Sequence, residues 1–159
     1  MDGRKLDALF NAGVDRIACD IEIWNEELFA RICPGKSKWT GRQRCLDALL
    51  YVARKYGANR ACSTFVVGLE PAEDFLAGAE YLASNGIAPI PSIWMPHGLP
   101  SIPGTVTADL DFFRKIKKGL AEIYSKYQCP PPGELGFNVC LCRDTWNHQD
   151  DLLDVRVRP

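Results

Sequence analysis

The sequence predicts an α/β protein: three consecutive strand-plus-helix units on one parallel sheet, a partial (β/α) barrel of TIM type. Three short segments, 14–23, 61–69 and 87–95, carry the alternating or β-branched apolar residues of strands. Each is followed by a stretch of helical apolar spacing long enough to reverse the chain before the next strand begins. Crossovers of that kind join parallel strands with right-handed connections. Three strands do not close a barrel, so the expectation is the carboxyl-terminal part of one, a piece of an enzyme architecture rather than a complete enzyme.

The opening run from Lys5 to Ala12 has apolar residues at helical spacing and stops at Gly13, as the helix ahead of a strand does. In 14–23 a two-residue repeat puts Ile17, Cys19, Ile21 and Ile23 on one face and Ala18, Asp20 and Glu22 on the other. Asn25 can cap a short helix through Ile32, Pro34 and Gly35 break it, and Thr40 can cap a longer helix carrying Cys45, Leu46, Leu49, Leu50 and Ala53 up to Gly57. The second strand ends near Gly68, and Pro71 can begin a helix with Phe75, Leu76, Ala79 and Leu82 that runs to Gly86. The third strand contains Pro89 and Pro91, each of which removes a ladder donor. Thr107 can cap a last helix through about Tyr127, with Leu110, Phe113, Ile116, Leu120 and Ile123 on one side. Three prolines after Cys129 then forbid helix. The organisation is therefore a barrel domain over 1–128 and a Pro- and Cys-containing tail over 129–159.

A chain of 159 residues with 25% charged residues and a net charge of -1 shows no basic stripe, so nucleic acid is not an expected partner. No apolar run approaches the ~20 residues that cross a bilayer, and no signal core follows the first residues, so a cytoplasmic protein without membrane contact is expected. The cysteines number seven, an odd count, and Cys19, Cys33, Cys45 and Cys62 sit inside apolar periodic segments as small reduced core residues.

Parallel α/β sheets bind ligands at the carboxyl ends of their strands. Those ends here are Glu22 with Trp24, residues 67–70, and residues 95–98. Burying two unpaired charges is expensive, so the face carrying Asp20 and Glu22 is expected to line a polar cavity. The structural alternative is that one of these carboxylates pairs with an arginine such as Arg42, and Asp20 is the weaker candidate. Gly68 would let a ligand approach the backbone closely. His97 could face the same cavity as a proton donor or acceptor, or lie in solvent.

The order of these motifs resembles the carboxyl-terminal half of radical S-adenosylmethionine enzymes, in particular the biotin-synthase-like group. The residues that carry the resemblance are Asp20-Ile21-Glu22-Ile23-Trp24, then Asn25 to Phe29 leading to Ile32-Cys33-Pro34-Gly35-Lys36, and Arg42 ahead of Cys45-Leu46. The strands ending in Val67-Gly68-Leu69 and in Trp94-Met95-Pro96 complete it. The resemblance implies that Glu22 contacts the polar part of S-adenosylmethionine, Arg42 its carboxylate, and the Val67 and Gly68 backbone its adenine. It also implies a small-molecule substrate and, in the complete enzyme, a four-iron four-sulfur cluster. The cysteine spacing CxxxCxxC that holds that cluster is absent from this sequence. No residue is assigned a catalytic step, and none a metal.

The resemblance therefore implies a half that contributes S-adenosylmethionine and substrate pocket residues but is not catalytic as an isolated chain. The other reading is a non-catalytic scaffold or metal-binding module, with Cys129, Cys140, Cys142 and His148 as soft ligands in the tail. Exposed sheet edges in a half-barrel predict a homo-oligomer or a cluster-bearing partner chain.

Overall fold

The computed structural model describes residues 2–94 and 108–130. The Asp2 carboxylate opens the first helix by accepting from the Arg4 backbone N–H at 3.0 Å. That helix, α1 (Gly3–Asn11), stops ahead of Gly13, whose φ of 93° only glycine adopts freely. After β1 (Ile17–Ala18) come α2 (Glu26–Ile32), α3 (Pro34–Trp39) and α4 (Arg42–Tyr56), then β2 (Ala61–Val67), α5 (Ala72–Ser84), β3 (Ile87–Ile93) and α6 (Leu110–Tyr127). The strands form one parallel sheet in the order β1-β2-β3. This is the predicted α/β class, with the three strands on one parallel sheet.

Several element ends differ from the sequence expectation. The cap at Asn25 holds, its side chain accepting from the Leu28 backbone N–H at 3.0 Å. Pro34 breaks α2 but also starts α3, because a proline at the first helical position gives up an N–H that has no intrahelical partner anyway. Thr40 does not cap α4. It closes α3, and Gly41, with φ 77°, precedes Arg42 instead. The last helix is capped by Asp109, whose carboxylate accepts from the Phe112 N–H at 2.8 Å, while Thr107 lies outside the described residues.

The largest correction is to the first strand, expected over 14–23. Regular pairing stops at Ala18, opposite Cys62, and resumes at Glu22, opposite Phe65. Four steps on one strand thus match three on its neighbour, which is a β-bulge. Side chains stand in for the interrupted ladder: the Asp20 carboxylate accepts from the Thr64 N–H at 3.0 Å, and Ser63 Oγ accepts from the Ile21 N–H at 3.0 Å.

The two prolines of β3 are accommodated by geometry. The Trp94 N–H donates to the Val67 carbonyl at 3.0 Å, so even-numbered residues of this strand turn their polar groups to β2. Pro89 and Pro91 therefore face away from it, where no β2 carbonyl awaits a donor. The outward Pro89 carbonyl is taken by the Tyr124 hydroxyl of α6 at 2.7 Å, which partly seals that edge.

One hydrophobic core, with Leu49, Val52, Phe65, Phe75, Leu82, Ile87 and Leu120 at its centre, joins the sheet to α4, α5 and α6. A second, smaller cluster of Ile23, Phe29 and Leu69 joins the strand ends to α2. No helix among the described residues is long and apolar enough to cross a membrane.

Candidate functional site at the carboxyl ends of the strands

The bulge delivers Glu22 to the end of β1 in an unusual backbone conformation. Its φ is 67°, and the Ile23 N–H folds back to the Ile21 carbonyl at 2.8 Å, closing a tight three-residue turn centred on Glu22. A positive φ costs a side-chain-bearing residue of order 1–3 kcal/mol and is retained where its surroundings hold it. The surroundings here are the ladder bonds from Glu22 N–H to Thr64 O at 3.0 Å and from Val66 N–H to Glu22 O at 2.8 Å.

The Glu22 carboxylate pairs with Lys36 of α3, Nζ to Oε1 at 2.5 Å, and the same ammonium donates to the Asp20 carbonyl at 2.8 Å. Burial pulls the Lys36 ammonium down, but the Glu22 hydrogen bond and the Glu22 and Asp20 charges outweigh it and raise its pKa. Cys33 lies in the same field: burial and the Glu22 charge push its thiol up, and Lys36 pulls it down. Asp20, the weaker sequence candidate, spends its carboxylate on the strand ladder.

On the second strand, Val67 is buried and Gly68 turns the chain with φ 104°. A Cβ built on Gly68 would sit 3.6 Å from Ala108 and 3.9 Å from Trp94, both ordinary contact distances. The positive φ rather than crowding is what favours glycine there. Gly68 lies three residues beyond Phe65, the partner of Glu22, so the two candidates occupy the same end of adjoining parallel strands.

Arg42 is held elsewhere. Its guanidinium pairs with Glu26 at 3.0 Å and stacks over the Trp24 ring at 4.2 Å, and its Nε is buried without a hydrogen-bond partner among the described residues. It borders an open cleft of about 480 Å³ with Trp24, Asn25, Asp74 and Tyr81. The sequence alternative of an Arg42 pair with Glu22 is not what forms, since the Glu22 partner is Lys36.

Glu70, which the sequence placed at the strand end 67–70 without a role of its own, is fully buried. Both carboxylate oxygens accept from the Trp24 N–H at 3.0 Å, and one accepts from the Asn25 N–H at 2.9 Å. Burial raises its pKa against those two N–H groups, Asp74 adds to the rise, and Arg42 opposes it. Its role is to clamp the turn after Glu22. A carboxylate two residues past a strand-ending glycine was the available signal for it, and a lysine just past a proline-glycine break was the signal for Lys36.

Cys19, Cys33, Cys45, Cys62 and Cys129 are free thiols. Burial pushes Cys19 up to about 12 and Cys62 and Cys129 each up to about 11, so none of these three is poised as a thiolate. Residues 95–98, His97, Cys140, Cys142 and His148 lie outside the described residues.

Over 133 residues the chain is 26% identical to the bacteriochlorophyllide c C-7(1)-hydroxylase of Chlorobaculum limnaeum. The match takes in 80% of this chain and 32% of the hydroxylase, so the chain spans about a third of that relative's length. No family model matches the sequence, and no solved structure matches it.

Proposed function

We propose that this chain supplies part of an S-adenosylmethionine and substrate pocket in an enzyme related to the radical S-adenosylmethionine superfamily, within its biotin-synthase-like group. The observation that carries the reading is Glu22, held at positive φ just beyond β1 and bridged to Phe65, three residues before Gly68. A parallel sheet offers its ligand site at the carboxyl ends of its strands, and a side-chain-bearing residue forced into positive φ points to function more than to stability. The distant similarity to the bacteriochlorophyllide c hydroxylase supports the superfamily relation, and the motif order supports the narrower group.

Glu22, Val67 and Gly68 share one strand end, whereas Arg42 lines the cleft beside Trp24 and would have to turn from it toward them. Glu22 would accept from the polar hydrogens of the nucleoside ligand, and the Val67 and Gly68 backbone would meet its adenine. Arg42 would grip its carboxylate after releasing Glu26, whose side chain is 81% exposed and free to swing away. S-adenosylmethionine supplies a sulfonium-bound adenosyl group; the chain's own part is to hold and orient it. The family's iron-sulfur cluster does not fit this chain, because the sequence lacks CxxxCxxC and no three potential ligands converge among the described residues. Its cysteines would come from polypeptide outside this chain, in a partner that completes the barrel as a half to this one.

Calorimetric titration with S-adenosylmethionine tests the reading. Saturable binding that disappears in Glu22→Ala and falls in Gly68→Val is expected. A folded chain that binds none, or binds equally well without the Glu22 carboxylate, overturns it.

A further inference from the structure

The Glu22 carboxylate and the Asp20 carbonyl form a two-oxygen cradle at the end of β1, and the chain fills it with its own ammonium, Lys36 Nζ at 2.5 Å and 2.8 Å. The lysine arrives on α3, six residues that bury no side chain and carry no side-chain cap. Trp39 at the end of that helix is 74% exposed. Lys36 thus ties a lightly anchored helix to the sheet across the site.

We infer that Lys36 is an internal competitor for Glu22: a ligand that brings a cationic group to this carboxylate displaces the lysine, and α3 loosens as it does so. The inference rests on Glu22 being a ligand contact. Both partners are partly exposed, so their attraction is modest and the exchange is open to a ligand with other contacts to contribute. The exchange also sets specificity. A positively charged group leaves Glu22 neutralised after Lys36 departs, whereas a neutral group leaves a half-buried carboxylate without a counter-charge. The cradle therefore selects an ammonium or sulfonium over an uncharged analogue.

The experiment compares the wild-type chain with Lys36→Met in two measurements, calorimetric titration with S-adenosylmethionine and hydrogen exchange of the α3 amides without ligand. Binding about fivefold tighter in K36M is expected, the gain from losing a competitor of ordinary ion-pair strength. The Ser37, Thr40 and Gly41 amides, bonded to the Cys33 and Lys36 carbonyls, are expected to exchange faster in K36M. Equal or weaker binding by K36M beside intact wild-type binding overturns the competition and leaves Glu22 a ligand contact. Unchanged α3 exchange overturns the tie between helix and cradle. Absence of binding in both chains overturns the nucleoside reading, and the competition with it.

Discussion

Ile21 and Ile23, two residues apart in the segment that follows β1, pack into different hydrophobic clusters. Ile21 joins the main core with α4 and Phe65, while Ile23 packs with Phe29 of α2, Leu69 and Val66. Phe65 stands edge-on to Phe75 of α5, and Val66, its neighbour, points to the other face of the sheet. A regular strand would have put both isoleucines on one face. The residue inserted at the bulge and the turn at Glu22 send them to opposite faces, and the same distortion sets the Glu22 carboxylate against Lys36.

Replacing Glu22 with glycine or with alanine separates the strain from the ion pair. Both lose the carboxylate, but only alanine keeps a Cβ at φ 67°. Glycine is ordinarily the less stable choice; here Glu22→Gly is expected to exceed Glu22→Ala by about 1 kcal/mol in chemical denaturation. Alanine equal to or better than glycine would mean that the backbone there is not strained.

Trp24 is fixed by a glycine on α5. A Cβ built on Gly78 would lie 2.6 Å from Trp24 Cγ and 2.7 Å from the Phe65 ring, too close for either to stay in place. Gly78→Ala should gain helix propensity yet lose about 2 kcal/mol net through overpacking. It should also disturb Arg42, which stacks on the displaced indole. Denaturation measures the first effect, and the intrinsic fluorescence of the four tryptophans reports the second.

The helices and the parallel order were legible because their signals are local. Asn25, Gly57 and Pro71 each stand where the chain must start or stop a helix, and apolar spacing marks the buried sides of α4 and α5. The bulge was not legible, because an inserted residue leaves the alternation of Ile17, Cys19, Ile21 and Ile23 intact in the sequence. What creates it is distant: Ser63 Oγ and the Thr64 N–H reach across to Ile21 and Asp20 from β2. Glu22 was legible as a polar residue at a strand end, but its partner was not. Lys36 sits on a helix that begins at the very proline that signalled a break.

Glu70 clamps the turn after Glu22 through the Trp24 and Asn25 N–H groups. Glu70→Ala leaves both donors without their acceptor in a part-buried site, so a loss of about 2 kcal/mol is expected. The pH dependence has a definite sign. Burial raises the folded-state pKa, so the contribution of this group to stability is complete at pH values below its unfolded titration and declines as pH rises through the folded one. Glu70→Gln should remove that decline from a stability profile taken upward from about pH 4, and a mutant profile parallel to the wild type would refute the assignment.

Acid should loosen the other end of the molecule, where Asp7 joins α1 to α4. One carboxylate oxygen accepts from Lys55 Nζ at 2.8 Å, Tyr51 OH at 2.8 Å and Tyr56 OH at 2.6 Å. The Lys55, Tyr56 and Tyr51 bonds, in that order of strength, lower its pKa from an ordinary 3.8 to about 2. A lowered carboxylate pKa stabilises the fold above the unfolded value, and that stability drains away as pH falls from there through the folded value. The wild-type chain should therefore lose stability more steeply than Asp7→Asn between about pH 4 and pH 2. Helix α1 stacks Phe10 on Tyr56 at 3.8 Å, so its amides should be the first to lose hydrogen-exchange protection in that window. Equal acid slopes for the two chains would show that the three donors do not hold the carboxylate in its charged form.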